Sequence, residues 1–453
     1  MKNLVPEEIL AKYGSAVPRY TSYPTAPHFS EEAGRPILET ALAGLTATDR
    51  ISVYIHIPFC DRLCWFCGCH TRHTLKYHPV EAYISSLLDE IRLVGQRLQA
   101  RPVIGHLHLG GGSPSMVRSV DFERISQALH QNFSFLPDTE TSVEIDPSDV
   151  NDDTLEGLRK LGMTRASIGV QDFDPQVQAA INRPQTFEQT RDVINALRSL
   201  GVQSLNIDAL YGLPLQTADR LSRTIEKVVS LTPDRIALFG YAHIPWLKKH
   251  QRLIKDSDLP GTSERFHQER QASIQLADAG YQEIGIDHFA LPGDLLAGAA
   301  RSGKLRRNFQ GYTTDNCKIL LGLGASSIGK TEAGYLQNIV PTGQYSACVK
   351  SGALPANRGL ILTEDDKIRA HIIEQIMCDF RFGFEDLLSR FGAKAIPYLA
   401  EAKNLAAADV DDLCSADQDC FYVNAAARPF TRIVASRFDA YLAQSQFRYS
   451  KAV

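Results

Sequence analysis

Four of the nine cysteines, Cys60, Cys64, Cys67 and Cys69, fall within ten residues of one another, at the end of the stretch YIHIPFCDRLCWFCGC. The first three form a C-x3-C-x2-C pattern. Thiolates hold iron–sulfur clusters, and three are one short of the four that close an ordinary cubane. The iron left over can bind the amino and carboxylate groups of S-adenosylmethionine (SAM) and pass it an electron, which breaks the sulfonium bond and releases a 5′-deoxyadenosyl radical. A zinc site would split its ligands into two pairs separated by a longer loop. A disulfide framework needs an oxidising compartment. A cluster of inert core thiols does not suit the neighbouring Asp61, Arg62 and Gly68.

Other residues with chemical potential are spread along the chain. Gly110, Gly111, Gly112 and Ser113 follow a strand-like run, and consecutive glycines let backbone approach a ligand closely, here an amino group; a plain turn is the simpler reading. Glu144 stands between Val143 and Ile145, and a carboxylate in a buried strand needs a partner, for which a ribose diol would serve. Gln171, Arg183 and Asp208, taken singly, read equally well as structural hydrogen-bonding groups. Gly324–Thr331, GASSIGKT, satisfies the phosphate-loop pattern, but Gly334 and Pro341 interrupt the helix that pattern requires.

The elements that must position these residues repeat as strand, loop and helix. ISVYIHI precedes a helix whose apolar positions Ile84, Leu87, Leu88, Ile91, Val94 and Leu98 recur at helical spacing. VIGHLHLGGG precedes a helix near 120–132, TSVEIDP one near 151–161, TRASIGVQDF one over 186–200 and SLNIDALYGLP one over 218–231, with Thr217 as its N-cap and Gly201 ending the one before. RIALFGYAHI and YQEIGIDHF follow. Repeated βα units demand a parallel sheet with right-handed crossovers, open or closed. Before them, PRYTSYPTAPHF reads as an extended arm. After about residue 355 the rhythm gives way to helices, with a small β element at CFYVNA.

The 453 residues fit two domains plus an arm. A net charge of −4, and 14 acidic against 11 basic residues over 361–453, leave no footprint for nucleic acid. Glu7, Glu8 and Lys12 interrupt what a signal peptide would need as an apolar run, and no stretch approaches the roughly 20 apolar residues of a spanning helix. A cytoplasmic protein that engages no membrane is expected, with Cys348, Cys378, Cys414 and Cys420 buried or inert.

The cysteine pattern, its YIHIPF lead-in and the YTSYPTA arm resemble the oxygen-independent coproporphyrinogen III oxidases of the radical SAM superfamily. Sister heme chaperones usually lack the fourth cysteine, so Cys69 argues for the oxidase. The resemblance implies a partial (β/α)6 radical SAM barrel over 46–354, an N-terminal arm over the active site at 1–45, and a mostly helical, winged-helix-like domain over 355–453. It implies a [4Fe-4S] cluster on Cys60, Cys64 and Cys67. A first SAM would lie on Tyr54, Phe66, Gly111, Glu144 and Ile328, and a second on Gly112, Ser113, Gln171, Arg183, Asp208 and Ala242, with the Arg183 fork on its carboxylate. Tyr20, Tyr23 and Gln310 would line the pocket. The reaction implied is oxidative decarboxylation of two propionates of coproporphyrinogen III to vinyl groups, by a monomer served by a separate electron donor and acceptor. A heme-trafficking chaperone, a radical SAM enzyme that opens heme and a bare zinc module are the other readings.

Overall fold

The computed structural model describes residues 7–14, 16–444 and 447–449, so the first six residues of the expected helical start lie outside it. Strands Arg50–Ile57 (β1), Val103–Gly111 (β2), Ser134–Ile145 (β3), Arg165–Gln171 (β4), Ser204–Tyr211 (β5) and Arg235–Gly240 (β6) alternate with helices His78–Gly95 (α1), Ser119–Asn132 (α2), Asp152–Leu161 (α3), Phe187–Ser199 (α4), Ala218–Ser230 (α5) and Thr262–Asp278 (α6). Each of the six strands pairs in parallel with the next. The helices start where the sequence offers side-chain caps: Asn151, Thr186 and Thr217 accept from the amides of Thr154, Gln189 and Arg220. Gly162 and Gly201 leave α3 and α4 with positive φ, as helix ends favour.

The parallel strands are the centre of a 13-stranded sheet whose two edges do not pair with each other, which is why the barrel is partial. Leu320–Leu323 (β7) lies parallel to β1, and Ile328–Lys330 (β8), Gly334–Asn338 (β9) and Ala356–Ile361 (β10) continue outward in antiparallel order to the short strand Ser30–Glu31. Beyond β6 lie His288–Ala290 and then Gln282–Ile284. Outward-facing strand residues such as Val53, Ile55, Val143, Ile168 and Ile207 are fully buried against the helices in one continuous core. The opposite face is polar: Arg165 reaches Glu140 at 3.4 Å, and Arg235 reaches Asp294 at 2.8 Å. Burial pushes the Arg165 guanidinium down to about 10.

After β10 comes Glu364–Asp379 (α7), closed at its start by a reciprocal capping box between Thr363 and Asp366. Three further α-helices follow, and CFYV of the expected β element is the central strand of a three-stranded antiparallel sheet. Ile372, Ile376, Phe382, Phe421 and Phe438 form the core of this segment, and Leu10, Val17, Tyr20 and Tyr23 of the arm belong to the same core. The Tyr20 hydroxyl donates to Asp439 at 2.9 Å, and the Tyr23 hydroxyl accepts from the Ala440 amide at 3.0 Å. The arm is therefore built into the C-terminal segment. Among the described residues no helix is long and apolar enough to cross a membrane.

Truncating Tyr23 to Ala removes a buried ring and a hydrogen bond, at a cost of about 3–5 kcal/mol. We expect Tyr23→Ala to lower the denaturant midpoint and to open the segment after residue 361 to protease, while Tyr23→Phe loses about 1 kcal/mol and stays protected.

Candidate functional site

The cysteines sit on the loop that leaves β1. Its ends are tied by two backbone bonds, Arg72 amide to Pro58 carbonyl at 2.7 Å and Thr74 amide to Cys60 carbonyl at 2.9 Å. Between those ties the backbone is mostly irregular, so its carbonyls need partners from elsewhere. Asn182 donates to Leu63, Gln251 to Phe66, His250 to Cys67 and Lys248 to Cys69, at 2.7–2.9 Å. The Ile181 carbonyl accepts from the Trp65 amide at 2.9 Å. Two distant segments, one after β4 and one after β6, thus hold the loop in shape.

Cys60, Cys64 and Cys67 are half-buried and Cys69 is exposed; all are free thiols. Their surroundings differ. Burial, then the neighbouring Cys67 and Cys64, pushes the Cys60 thiol up. Hydrogen bonding from Cys69 outweighs burial at Cys67 and brings its thiol down to about 7, the Cys69 amide lying 3.4 Å from the sulfur. The Arg183 guanidinium lies 3.5 Å from the Cys64 sulfur. Among the described residues no three His, Cys, Asp or Glu side chains converge on a point suited to a single metal ion. A cubane asks for something else, one thiolate per iron, and three thiols on one loop beside a cation and amide donors suit that donor set.

Facing the loop are the carboxyl ends of β1–β3. Tyr54 pairs with His108 across the β1–β2 ladder, and their rings stack at 5.7 Å. His56 lies 2.9 Å from the Tyr54 hydroxyl through Nδ1 and 2.9 Å from the His70 carbonyl through Nε2. A carbonyl accepts only, so Nε2 carries the proton and Nδ1 takes the tyrosine hydrogen. Glu144 accepts from the Gly111 amide at 2.9 Å and meets His108 at 3.3 Å. Burial pushes its carboxyl up, but those contacts together outweigh it and hold it below the ordinary range.

The glycine run is a matter of space. Gly111 has φ +116°, and a Cβ there would lie 2.4 Å from the His56 ring; one on Gly110 would lie 2.5 Å from Glu144, and one on Gly112 2.5 Å from the Phe59 carbonyl. The amides of Gly111, Gly112 and Ser113 are engaged by Glu144, Ile57 and Phe59, and the Ser113 hydroxyl by Asp149. An ammonium group is in any case a donor, so it is carbonyl oxygen that the run can offer it.

Gln171 ends β4 at a register shift with φ +69°, an uncommon conformation for a residue with a side chain, and among the described residues its amide has no hydrogen-bond partner. Asp208, on β5, accepts from Asn206 at 2.7 Å and Ser167 at 3.1 Å. Burial, then the Glu144 charge, pushes it up to about 6. Arg183 is buried; it donates to Asp146 at 2.8 Å and to the Gly169 carbonyl at 2.8 Å, and its Nε has no partner among the described atoms. Its fork is thus engaged by protein groups next to Cys64. The Ala242 carbonyl accepts from Gln251 at 3.1 Å, Phe66 packs beside Trp65 on a small apolar cluster, and Ile328 begins β8. Tyr20 and Tyr23 line a cavity with Arg307, Lys330 and Glu374, their hydroxyls turned to the C-terminal segment. Gln310 is exposed at the turn between Arg306–Asn308 and Gly311–Thr313.

The reading above missed His56, His108, Asp146 and the Lys248, His250, Gln251 group. The alternation in YIHI and HLHL gave a signal for the histidines, since residues two apart on a strand share a face; Asp146 stands directly after β3, and Lys248, His250 and Gln251 lie in the segment that follows β6. The phosphate-loop match has a different structure: Gly324–Thr331 runs from β7 through a turn into β8, not into a helix. The Gly324 and Ala325 amides that a phosphate would need are taken by Glu90 at 2.7 Å and Tyr83 at 2.8 Å.

A parallel (β/α)6 sheet with a three-cysteine loop after its first strand defines a radical SAM protein, and the radical SAM superfamily model matches residues 54–228. The chain is 46% identical over its full length to the full-length oxygen-independent coproporphyrinogen III oxidase of Cereibacter sphaeroides. It is 42% identical to that of Paracoccus denitrificans, over 96% of each chain. Coproporphyrinogen III oxidase from Escherichia coli, a radical SAM enzyme, matches with a TM-score of 0.89 at 38% identity, over 96% of this chain and 99% of the other. The chain belongs to the oxygen-independent coproporphyrinogen III oxidases.

Two substitutions probe this geometry. Gly111→Ala forces a side chain into the His56 ring at positive φ, and we expect the purified protein to lose most of its iron, read by iron and sulfide analysis. Lys330→Ala should change no ATP turnover, because there is none to change; a phosphate-release assay on both proteins checks it.

Proposed function

We propose that this chain converts two propionate side chains of coproporphyrinogen III to vinyl groups, giving protoporphyrinogen IX in heme biosynthesis without oxygen. The observation that carries the reading is the Cys60, Cys64, Cys67 loop held against the Glu144 strand end in a chain that matches these oxidases over its whole length. Cys60, Cys64 and Cys67 would hold a [4Fe-4S] cluster and leave one iron for SAM. What the bound cluster and SAM supply is one electron and, through cleavage of the sulfonium, a carbon radical able to take a hydrogen atom.

The chain's own residues do the rest. Glu144, kept ionised by His108 and the Gly111 amide, is set to accept hydroxyl hydrogens of a ribose. Tyr54, Phe66, Gly111 and Ile328 flank it as the first SAM site, and Gly112, Ser113, Gln171, Arg183, Asp208 and Ala242 as the second. The buried Nε of Arg183, which has no hydrogen-bond partner among the described residues, supports that assignment. The Arg183 fork toward Asp146 and Cys64 adds a task, fixing the cluster loop. Each vinyl group formed releases CO2, a hydrogen atom and an electron, so an electron acceptor and a donor for the cluster serve the reaction. Of the arm, 1–45, and the C-terminal unit, 355–453, the parts beyond Ser30–Glu31 and Ala356–Ile361, which extend the sheet of the barrel unit, 46–354, would cover its mouth and keep water from it. The enzyme works as a cytoplasmic monomer that engages no nucleic acid or membrane.

Serine at Cys60, Cys64 or Cys67 should remove the iron and the cleavage of SAM, whereas Cys69→Ser should keep the iron. Iron loss from Cys69→Ser as complete as from the other three would make Cys69 a ligand and contradict the open iron.

A further inference from the structure

A recess of about 930 Å³, its open mouth included, lies between the end of the sheet and the C-terminal segment. Its walls include Tyr211 and Gly240, the last residues of β5 and β6. Arg19, Arg265, Arg307 and Arg432 enter it from the arm, α6, the strand Arg306–Asn308 and the C-terminal segment. Arg19 and Arg265 make no ion pair among the described residues: Arg19 donates to the Gly240 carbonyl at 2.7 Å, and Arg265 to the Tyr241 carbonyl at 3.1 Å and the Gly212 carbonyl at 3.4 Å. Arg432 holds the carbonyl of Pro18 at 3.1 Å. Arg307 meets the carboxylate of Asp287 at 3.4 Å, but its buried Nε and Nη1, like Nε of Arg265, have no hydrogen-bond partner among the described residues.

That is costly at Arg307, which is buried with two donor nitrogens lacking hydrogen-bond partners, because a buried cation needs satisfied donors. Two other carboxylates, Glu269 and Glu283, line the recess, and burial pushes the Glu269 carboxyl up, toward its neutral form. Burial, followed by repulsion from Arg19, pushes the Arg432 guanidinium down to about 9. A guanidinium fork matches the two oxygens of a carboxylate bidentately.

We propose that the recess binds a carboxylate of the tetrapyrrole substrate, holding one propionate while another reacts. The assignment rests on the proposed function, which supplies a substrate with four carboxylates. The position suits it: Asp208, assigned to a SAM site, stands three residues before Tyr211 on the same strand, and no residue of the cysteine loop lines the recess. The carboxylate of SAM is the other source of the same chemistry.

The test is anaerobic titration of the cluster-loaded enzyme with coproporphyrin III, with its uncharged tetramethyl ester, and with SAM. Arg265→Gln and Arg19→Gln should each weaken coproporphyrin III binding about tenfold, with Arg265→Lys in between. The ester should bind wild type and variants alike, and SAM affinity should not change. Arg19 is exposed, so its variant gives the answer if Arg265→Gln does not fold. Unchanged coproporphyrin III affinity in the variants overturns the proposal, as does a loss that falls on SAM instead. Product formation by wild type in the same preparations separates the two claims: no vinyl product removes the proposed function, whereas product with unchanged binding in the variants removes only the recess assignment.

Discussion

The three thiols are positioned by a loop that cannot hold its own shape. Between Pro58 and Thr74 it has almost no regular backbone pairing, and the carbonyls of Leu63, Phe66, Cys67 and Cys69 each depend on a side chain from after β4 or β6. A carbonyl left without a partner in a half-buried loop costs on the order of 1–3 kcal/mol, so these contacts decide the conformation. They also link the loop to the far strands: a change at Gln251 or Asn182 reaches the thiols without touching them.

The barrel serves this loop by keeping its interior polar. In a closed eight-stranded barrel, aliphatic side chains fill the inside. Here the aliphatic residues lie between sheet and helices, and the inward face carries His108, Glu144, Asp208, Arg165 and Glu140. Their charges are set against one another: Glu144 is held ionised by His108, and its charge in turn helps push Asp208 up to about 6. A site that orients a charged nucleoside-linked amino acid needs such fixed groups, and an unclosed sheet leaves room for a large substrate to enter.

Much of this was legible in the residues. Strand and helix positions followed from apolar periodicity and from caps such as Thr217, because both act locally. The cysteine loop was legible because spacing alone limits what three thiols can bind. The partners of Arg183 were not, since Asp146 is 37 residues away and meets it only once β3 and the segment after β4 are side by side. The same holds for Tyr20 and Tyr23, whose hydroxyls find Asp439 and Ala440 more than 400 residues along the chain. The phosphate-loop match fails for a related reason: the pattern records residue types, whereas the function depends on a helix that Gly334 and Pro341 do not permit.

The central claim is tested most directly by incubating the cluster-loaded protein anaerobically with coproporphyrinogen III, SAM and a reductant, and counting products. The account predicts protoporphyrinogen IX with two 5′-deoxyadenosines formed per molecule. Tight binding of heme with no vinyl product would contradict it and assign the chain to heme trafficking.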